Sequence, residues 1–361
     1  MGNISMQIVT QELISGKKIL LRYDIDVALS PLEDFKLKAG SETLKLCLRY
    51  GSKVILMGHI GRPSFAAHPS VGGEATAGKP DNFFVPKYSV APIIEWFKSQ
   101  GFGDDLGSGK LTILENLRFD SREEASDLEF AKELAQKGDV YINEAFSAHR
   151  PSASTTVLPT LLPHAAGLHF AEEVSKLTEV RENPKKPFIA IMGGAKVVDK
   201  LPVISALSKN ADAVLVGGKL IEEIRKHEGD PSLVTQDDNL RLDGLRKLSN
   251  VMVGKLNEDG FDIASETVES WKSLIAGAKM IVWNGPLGKF EDPKYSQTGE
   301  VIKMILSSNA EIIIGGGDSV AALSQAGLLE EAEQKSFVSV GGGAMLKFLA
   351  DGTLPTIEAL T

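Results

Sequence analysis

Short apolar runs rich in β-branched residues alternate with stretches of helical periodicity along the whole chain. In the first half the runs are KKILLRYDI, KVILMGHI, LTILENLRF and DVYINEAF. In the second they are FIAIMGG, DAVLVGG, MIVWNG and EIIIGGG, separated by VISALSKNA, KLIEEIRKH, ETVESWKSLIAGA and VIKMILSS. Strands that are apolar on both faces, with helices between them, read as parallel sheets covered on both sides. The pattern predicts two doubly wound, Rossmann-like α/β domains. A length of 361 residues agrees, being beyond what a single core usually serves. Between the two sets of strands the charged stretch HFAEEVSKLTEVRENPKKP runs into Asn183-Pro184, and a linker helix is expected there.

Composition narrows the classes. Hydrophobic residues make up 43% of the chain, yet no apolar run reaches membrane-spanning length, so a soluble protein is expected. The formal net charge of -9 argues against a nonspecific nucleic-acid binder, which needs a cationic surface, although a local basic pocket stays open. Cys47 is the single cysteine, which excludes an internal disulfide and a thiolate metal cluster built within one chain; its helical surroundings, SETLKLCLRYGS, suggest a small buried hydrophobe. The opening residues MGNISMQIVTQELISGKK lack a basic start followed by an apolar core, so a cytoplasmic protein is expected. Ser64 to Asn82, rich in Gly, Pro, Ala and Ser, reads as a surface loop. Within it Gly73 to Lys79 spells GxxxxGK, but Pro80 stands where a P-loop needs Ser or Thr, and no strand or helix flanks it.

In open parallel sheets ligands bind beyond the carboxyl ends of the strands, and the unusual residues of this chain fall there. Three glycine clusters follow strands: Gly193 and Gly194, Gly315 to Gly317, and Gly341 to Gly343. Glycine lets backbone N–H groups approach an anion, and a helix start adds partial positive charge, so phosphate binding is expected. Asp318, directly after one triple glycine, suits either a helix cap or a magnesium ligand. Lys196 and Lys200 share a helix face at i, i+4 and either reach a phosphoryl chain or sit in solvent. Asn284 precedes a Gly-Pro turn, and Glu291 lies seven residues on, within range of a ribose or simply on the surface. The first half carries Asp24 and Asp26, His59 and Arg62, Arg118, and His149 and Arg150 after four separate strands. Together they describe a cationic basin for a small multiply charged anion. The DxD spacing of Asp24 and Asp26 leaves a metal-dependent hydrolase with an aspartyl nucleophile as another reading.

The strings LLRYDIDV, LMGHIGRP, ILENLRF, DVYINEAFSAHR, FIAIMGGAKVVDK, MIVWNGPLGKFE, IIIGGGDSVAAL and VSVGGGAMLKFL, in this order and over nearly the whole chain, resemble the phosphoglycerate kinase family. The resemblance implies reversible phosphoryl transfer between 1,3-bisphosphoglycerate and ADP, giving 3-phosphoglycerate and ATP, by a monomer with magnesium as cofactor. It implies a phosphoglycerate-binding domain over 1–170, a hinge helix over 171–186, a nucleotide-binding domain over 187–345, and a tail over 346–361 that returns to the first domain. Asp24, Asp26, His59, Arg62, Arg118, His149 and Arg150 then correspond to substrate ligands, with Lys36 in place of the family's essential arginine and Lys38 an alternative for that place. Lys36, Lys196, Lys200, Gly317 and Gly341 correspond to the catalytic set. Gly193, Gly194, Lys200, Gly217, Gly218, Asn284, Pro286, Glu291 and Gly315 to Ser319 correspond to nucleotide contacts, with Gly316 and Gly317 in the phosphate loop and Asp318 on magnesium. The chain departs from the family pattern at Asp26 for Asn, Ser152 for a second His, Glu144 for Asp, Lys219 within a glycine-rich loop and Phe337 for a His. These departures keep open two other readings: a relative that binds nucleotide but has lost productive phosphoglycerate binding, and an enzyme for a related acyl phosphate.

Overall fold

The computed structural model of the protein describes residues 6–27, 34–63, 85–194, 197–226 and 248–361. The GxxxxGK stretch and Lys196 lie outside them. The chain divides into two compact units, residues 1–173 with 353–361, and residues 174–352.

The first unit is built on five parallel strands: β1 (Lys18–Tyr23), β2 (Lys53–Met57), β3 (Leu111–Ile113), β4 (Val140–Glu144) and β5 (His164–Ala166), in the order β3-β2-β1-β4-β5. Leu21 pairs in register with Leu56 on one side and Ile142 on the other, so the middle of the sheet is buried aliphatic while polar residues appear towards the strand ends. The switch in strand order lies between β1 and β4, where the polar residues of their carboxyl ends collect. Cys47 is fully buried on the helix Ser41–Tyr50.

The second unit has six parallel strands: β6 (Phe188–Met192), β7 (Ala213–Val216), β8 (Val251–Val253), β9 (Met280–Asn284), β10 (Glu311–Gly315) and β11 (Ser336–Ser339), ordered β11-β10-β9-β6-β7-β8. Its switch point is between β6 and β9. Trp271 and Trp283 anchor a core of Ile, Val and Leu between sheet and helices.

A helix spans Leu168–Glu182, against the 171–186 expected for the linker helix, and the division between units falls within it. Its start is fixed by Glu144 at the end of β4: Oε1 accepts from His169 N at 3.1 Å and from Thr43 Oγ1 at 2.7 Å, and Oε2 accepts from Phe170 N at 3.0 Å. A carboxylate at a helix start satisfies donors that have no intrahelical partner. These bonds oppose the upward push of burial on the Glu144 carboxyl. The residues that group with the first unit at the end of the chain begin at Thr353 rather than at 346. The helix Gly342–Asp351 is held in the second unit, where the Arg181 guanidinium donates to the carbonyls of Phe348, Leu349 and Ala350.

Candidate active site: an anion cleft and a glycine cradle

Beyond the carboxyl ends of the first sheet lies a cleft of about 360 Å³. Asp26, His59, Arg62, Arg118, His149 and Arg150, read from separate segments of the sequence, all line it. Arg22 lines it too, a residue that sequence reasoning left inside β1 as part of the strand.

Arg22 is 1% exposed, and its guanidinium is spent on three partners. Nε donates to Ser154 Oγ at 3.0 Å, Nη1 to the Tyr23 carbonyl at 2.9 Å, and Nη2 lies 2.6 Å from His59 Nδ1. Behind it Glu123, itself buried, accepts from Ser154 Oγ at 2.6 Å and from Ser152 Oγ at 2.8 Å, so a carboxylate balances the cation through one hydroxyl. Guanidinium has only donors, so His59 Nδ1 accepts, and the ring proton sits on Nε2. Burial first, and then the charges of Arg22, Arg118, Arg62 and Lys36, hold the His59 pKa well below its ordinary value, which agrees with a neutral ring.

His59 Nε2 is 3.7 Å from Asp26 Oδ2, beyond hydrogen-bond length. Asp26 Oδ1 accepts instead from Gly61 N at 2.8 Å and so closes the turn after β2. Arg118 Nη1 donates to the Gly61 carbonyl at 2.7 Å and its Nε meets Glu124 at 3.1 Å, so the same turn is held from two sides. Asp24 is buried; burial raises its pKa, while the Lys36 charge and the Ser147 hydroxyl oppose that rise. Its Oδ2 has no hydrogen-bond partner. Of the two candidate lysines, Lys36 approaches this acidic pair, with Nζ 3.5 Å from the Asp26 carbonyl, whereas Lys38 pairs with Asp34 at 2.9 Å. Ser152 has a local task where the family carries His: it accepts from Thr155 N and donates to Glu123.

In the second unit a cavity of about 550 Å³ opens at the carboxyl ends of the strands. Five of the residues that the resemblance assigns to nucleotide contacts, Gly194, Gly218, Pro286, Glu291 and Asp318, line it. Beneath them a second group joins the loops. Asn284 Nδ2 donates to the Gly315 carbonyl at 2.8 Å; Ser319 Oγ donates to that carbonyl at 2.8 Å and accepts from Gly285 N at 2.7 Å. Gly193 N donates to the Asn284 carbonyl at 2.9 Å. Lys200, 7% exposed, donates to the carbonyls of Gly193 and Asn284 and so fastens the end of β6 to that of β9. Gly217 continues β7 below the cavity, its N–H bound to the Met192 carbonyl.

Two helices start at the far side of this framework, Gly317–Gln325 after Gly316 and Gly342–Asp351 after Gly341. Neither start has a side-chain cap. Uncapped N–H groups at two neighbouring helix starts can receive an anion. The starts meet through backbone: Gly316 has φ of +101°, and a Cβ on Gly342 would lie 2.5 Å from Gly316 Cα. Lys219, Lys289 and Phe261 also line the cavity. The sequence singled out Lys219 only as an interruption, and Lys289 is visible in hindsight beside Glu291 in the string LGKFE.

A family model described as phosphoglycerate kinase matches residues 9–240 and 233–352. The chain belongs to the phosphoglycerate kinase family. Among curated relatives, the phosphoglycerate kinase of Solibacter usitatus is 34% identical over 384 residues, covering 96% of this chain and 97% of the relative. That of Roseiflexus castenholzii is 35% identical over 386 residues, covering 96% of each. Of solved structures, the phosphoglycerate kinase from Coxiella burnetii matches with a TM-score of 0.78 at 26% identity over 98% of both chains. The Pyrococcus horikoshii enzyme matches with a TM-score of 0.73 at 25% identity over 96% of both. The phosphoglycerate kinase fold and function expected from the sequence agree with these likenesses. No helix among the described residues is long and apolar enough to cross a membrane.

Proposed function

We propose that the protein transfers a phosphoryl group reversibly between the C1 carboxylate of 3-phosphoglycerate and the terminal phosphate of ADP or ATP, working as a cytoplasmic monomer. The observation that carries this reading is the pairing of chemistries: an arginine-lined anion cleft on one sheet and a glycine-built phosphate cradle on the other. Phosphoryl transfer asks a protein for positioning and for neutralisation of charge rather than for covalent help.

In this scheme Arg62, Arg118 and Arg150 bind the anionic substrate, and the neutral His59 donates from Nε2. Lys36 neutralises charge beside Asp24 and Asp26. A carboxylate acceptor is already ionised at neutral pH, so no general base is needed. The N–H groups at Gly317 and after Gly341 hold the nucleotide phosphates, Glu291 contacts the ribose, and Lys200 and Ser319 keep the loops in register. Closure of the units around both ligands would exclude the water that otherwise hydrolyses an acyl phosphate.

Asp318 is exposed at the start of its helix and lines the cavity, and among the described residues no three acidic, histidine or cysteine side chains converge as a metal site. A single carboxylate fits magnesium, which keeps waters and binds through one carboxylate plus substrate phosphates. When bound, the ion offsets phosphate charge.

The test is turnover of purified protein with Mg-ATP and 3-phosphoglycerate, read through a dehydrogenase that consumes NADH as 1,3-bisphosphoglycerate appears. Robust turnover is expected. Folded protein that binds Mg-ADP without turnover would instead mark a relative that keeps nucleotide binding alone.

A further inference from the structure

The nucleotide cavity has a polarity set by strand order. The phosphate cradle follows β10 and β11, whereas Lys219 follows β7, and between β10 and β7 lie β9 and β6. Three strand spacings of about 4.8 Å put Lys219 on the order of 14 Å from the cradle. A nucleotide with its phosphates on the cradle therefore brings its base, not its phosphates, to Lys219.

The walls at that end suit a base. Leu256 and Phe261 line the cavity there, and Phe261 is 54% exposed, so part of this large aromatic stays accessible to a base although Tyr295 packs against its ring at 5.8 Å. Lys289 lies over the Phe261 ring at 5.6 Å and is paired with Asp292 at 3.7 Å. Lys219 differs: it is exposed at the first position of the helix Lys219–Lys226, and no hydrogen bond or ion pair holds it among the described residues.

An ammonium group is a donor without acceptor capacity, so it requires acceptors on the base. A 6-oxopurine offers O6 and N7 side by side, whereas adenine sets the N6 amino donor beside N7. We propose that Lys219 reads this edge and tilts the site towards guanine and hypoxanthine nucleotides relative to adenine. The inference rests on the nucleotide reading of the cavity given above.

Calorimetry with Mg-ADP, Mg-GDP and Mg-IDP on the wild type, Lys219→Met and Lys219→Arg tests it. In Lys219→Met the ratio of GDP to ADP affinity should fall about tenfold, the size of one charged contact at a base edge. IDP, which lacks the 2-amino group, should move with GDP, and Lys219→Arg should retain the wild-type ratio, which loss of a merely structural lysine would not require. A ratio in Lys219→Met within twofold of wild type, or IDP moving with ADP, would overturn the inference while leaving nucleotide binding intact. Failure of all three nucleotides to bind the wild type would remove the nucleotide reading itself, and the role of Lys219 with it.

Discussion

Replacing Arg22 with Met probes the first cleft through a wall residue that is 1% exposed and bonded to protein partners. The change leaves the Tyr23 carbonyl and His59 Nδ1 without a donor, while Ser154 keeps its bond to Glu123. Two buried acceptors at about 1–3 kcal/mol each give a stability loss of about 2–6 kcal/mol, overlapping the range for breaking a buried charged pair. The sharper readout is His59. Arg22 is the leading charge that holds its pKa down, so removing it should raise that pKa. In the wild type the folded ring stays neutral while the unfolded ring takes up a proton below about pH 6.5. Stability is therefore fully present above that pH and falls as pH drops from it towards the depressed folded value. In Arg22→Met this slope should flatten. Urea unfolding at pH 7.5 and 5.5, together with nitrogen shifts of the His59 ring, would measure both effects. In the wild type the shifts should show an unprotonated Nδ1. Arg22→Lys, which keeps charge but not the fork, should retain much of the pKa depression and lose the shared hydrogen bonds. An unchanged His59 titration and pH slope in Arg22→Met would refute the reasoning.

Other perturbations test other parts. Asp26→Asn removes one negative charge from the anion cleft while keeping an acceptor for Gly61 N; because the Asp26 side chain is 44% exposed, only a modest gain is expected, about five- to tenfold tighter 3-phosphoglycerate at low salt and less at high salt, by calorimetry. Gly342→Ala forces a methyl against the backbone at Gly316 and should cost about 1–3 kcal/mol of stability and weaken Mg-ADP by tenfold or more, measured by thermal unfolding and binding. Burial pushes the Cys47 thiol up to about 12, so at pH 8 a thiol reagent should label the folded protein only through unfolding, with a rate that rises steeply in urea; fast labelling without denaturant would contradict the burial.

Much of the architecture was legible because its longest strands are uninterrupted aliphatic runs ending in glycine or charge. Two strands, β5 and β8, were not marked by the apolar runs; each has three residues and is defined by the neighbour it pairs with. The anion cleft was legible for the same reason as the fold, since polar residues at the ends of parallel strands must share one edge of the sheet. Arg22 was not, because its partner Ser154 lies 132 positions away and a strand interior gives no local sign of an inward charge. Likewise, the tie from Lys200 to the carbonyls of β6 and β9 depends on two strands being adjacent that are far apart in sequence. The choice between Lys36 and Lys38 needed only the direction of one short helix, which sequence spacing leaves open. The departures at Glu144 and Ser152 are explained by local hydrogen bonds, a helix start for one and a turn for the other.

The meeting of Gly316 and Gly342 has a consequence for how the cradle can vary. Where the two helix starts touch there is no side chain to ionise, oxidise or change rotamer. The recognition surface is main chain, identical in chemistry whatever the neighbouring residues become. Its tolerance to sequence drift is therefore narrow where the backbones crowd, at Gly316 with its positive φ, at Gly342 against Gly316, and at Gly315, where a Cβ would run into Met345 Sδ, so its history should read as freer exchange in the flanking helices around fixed glycines.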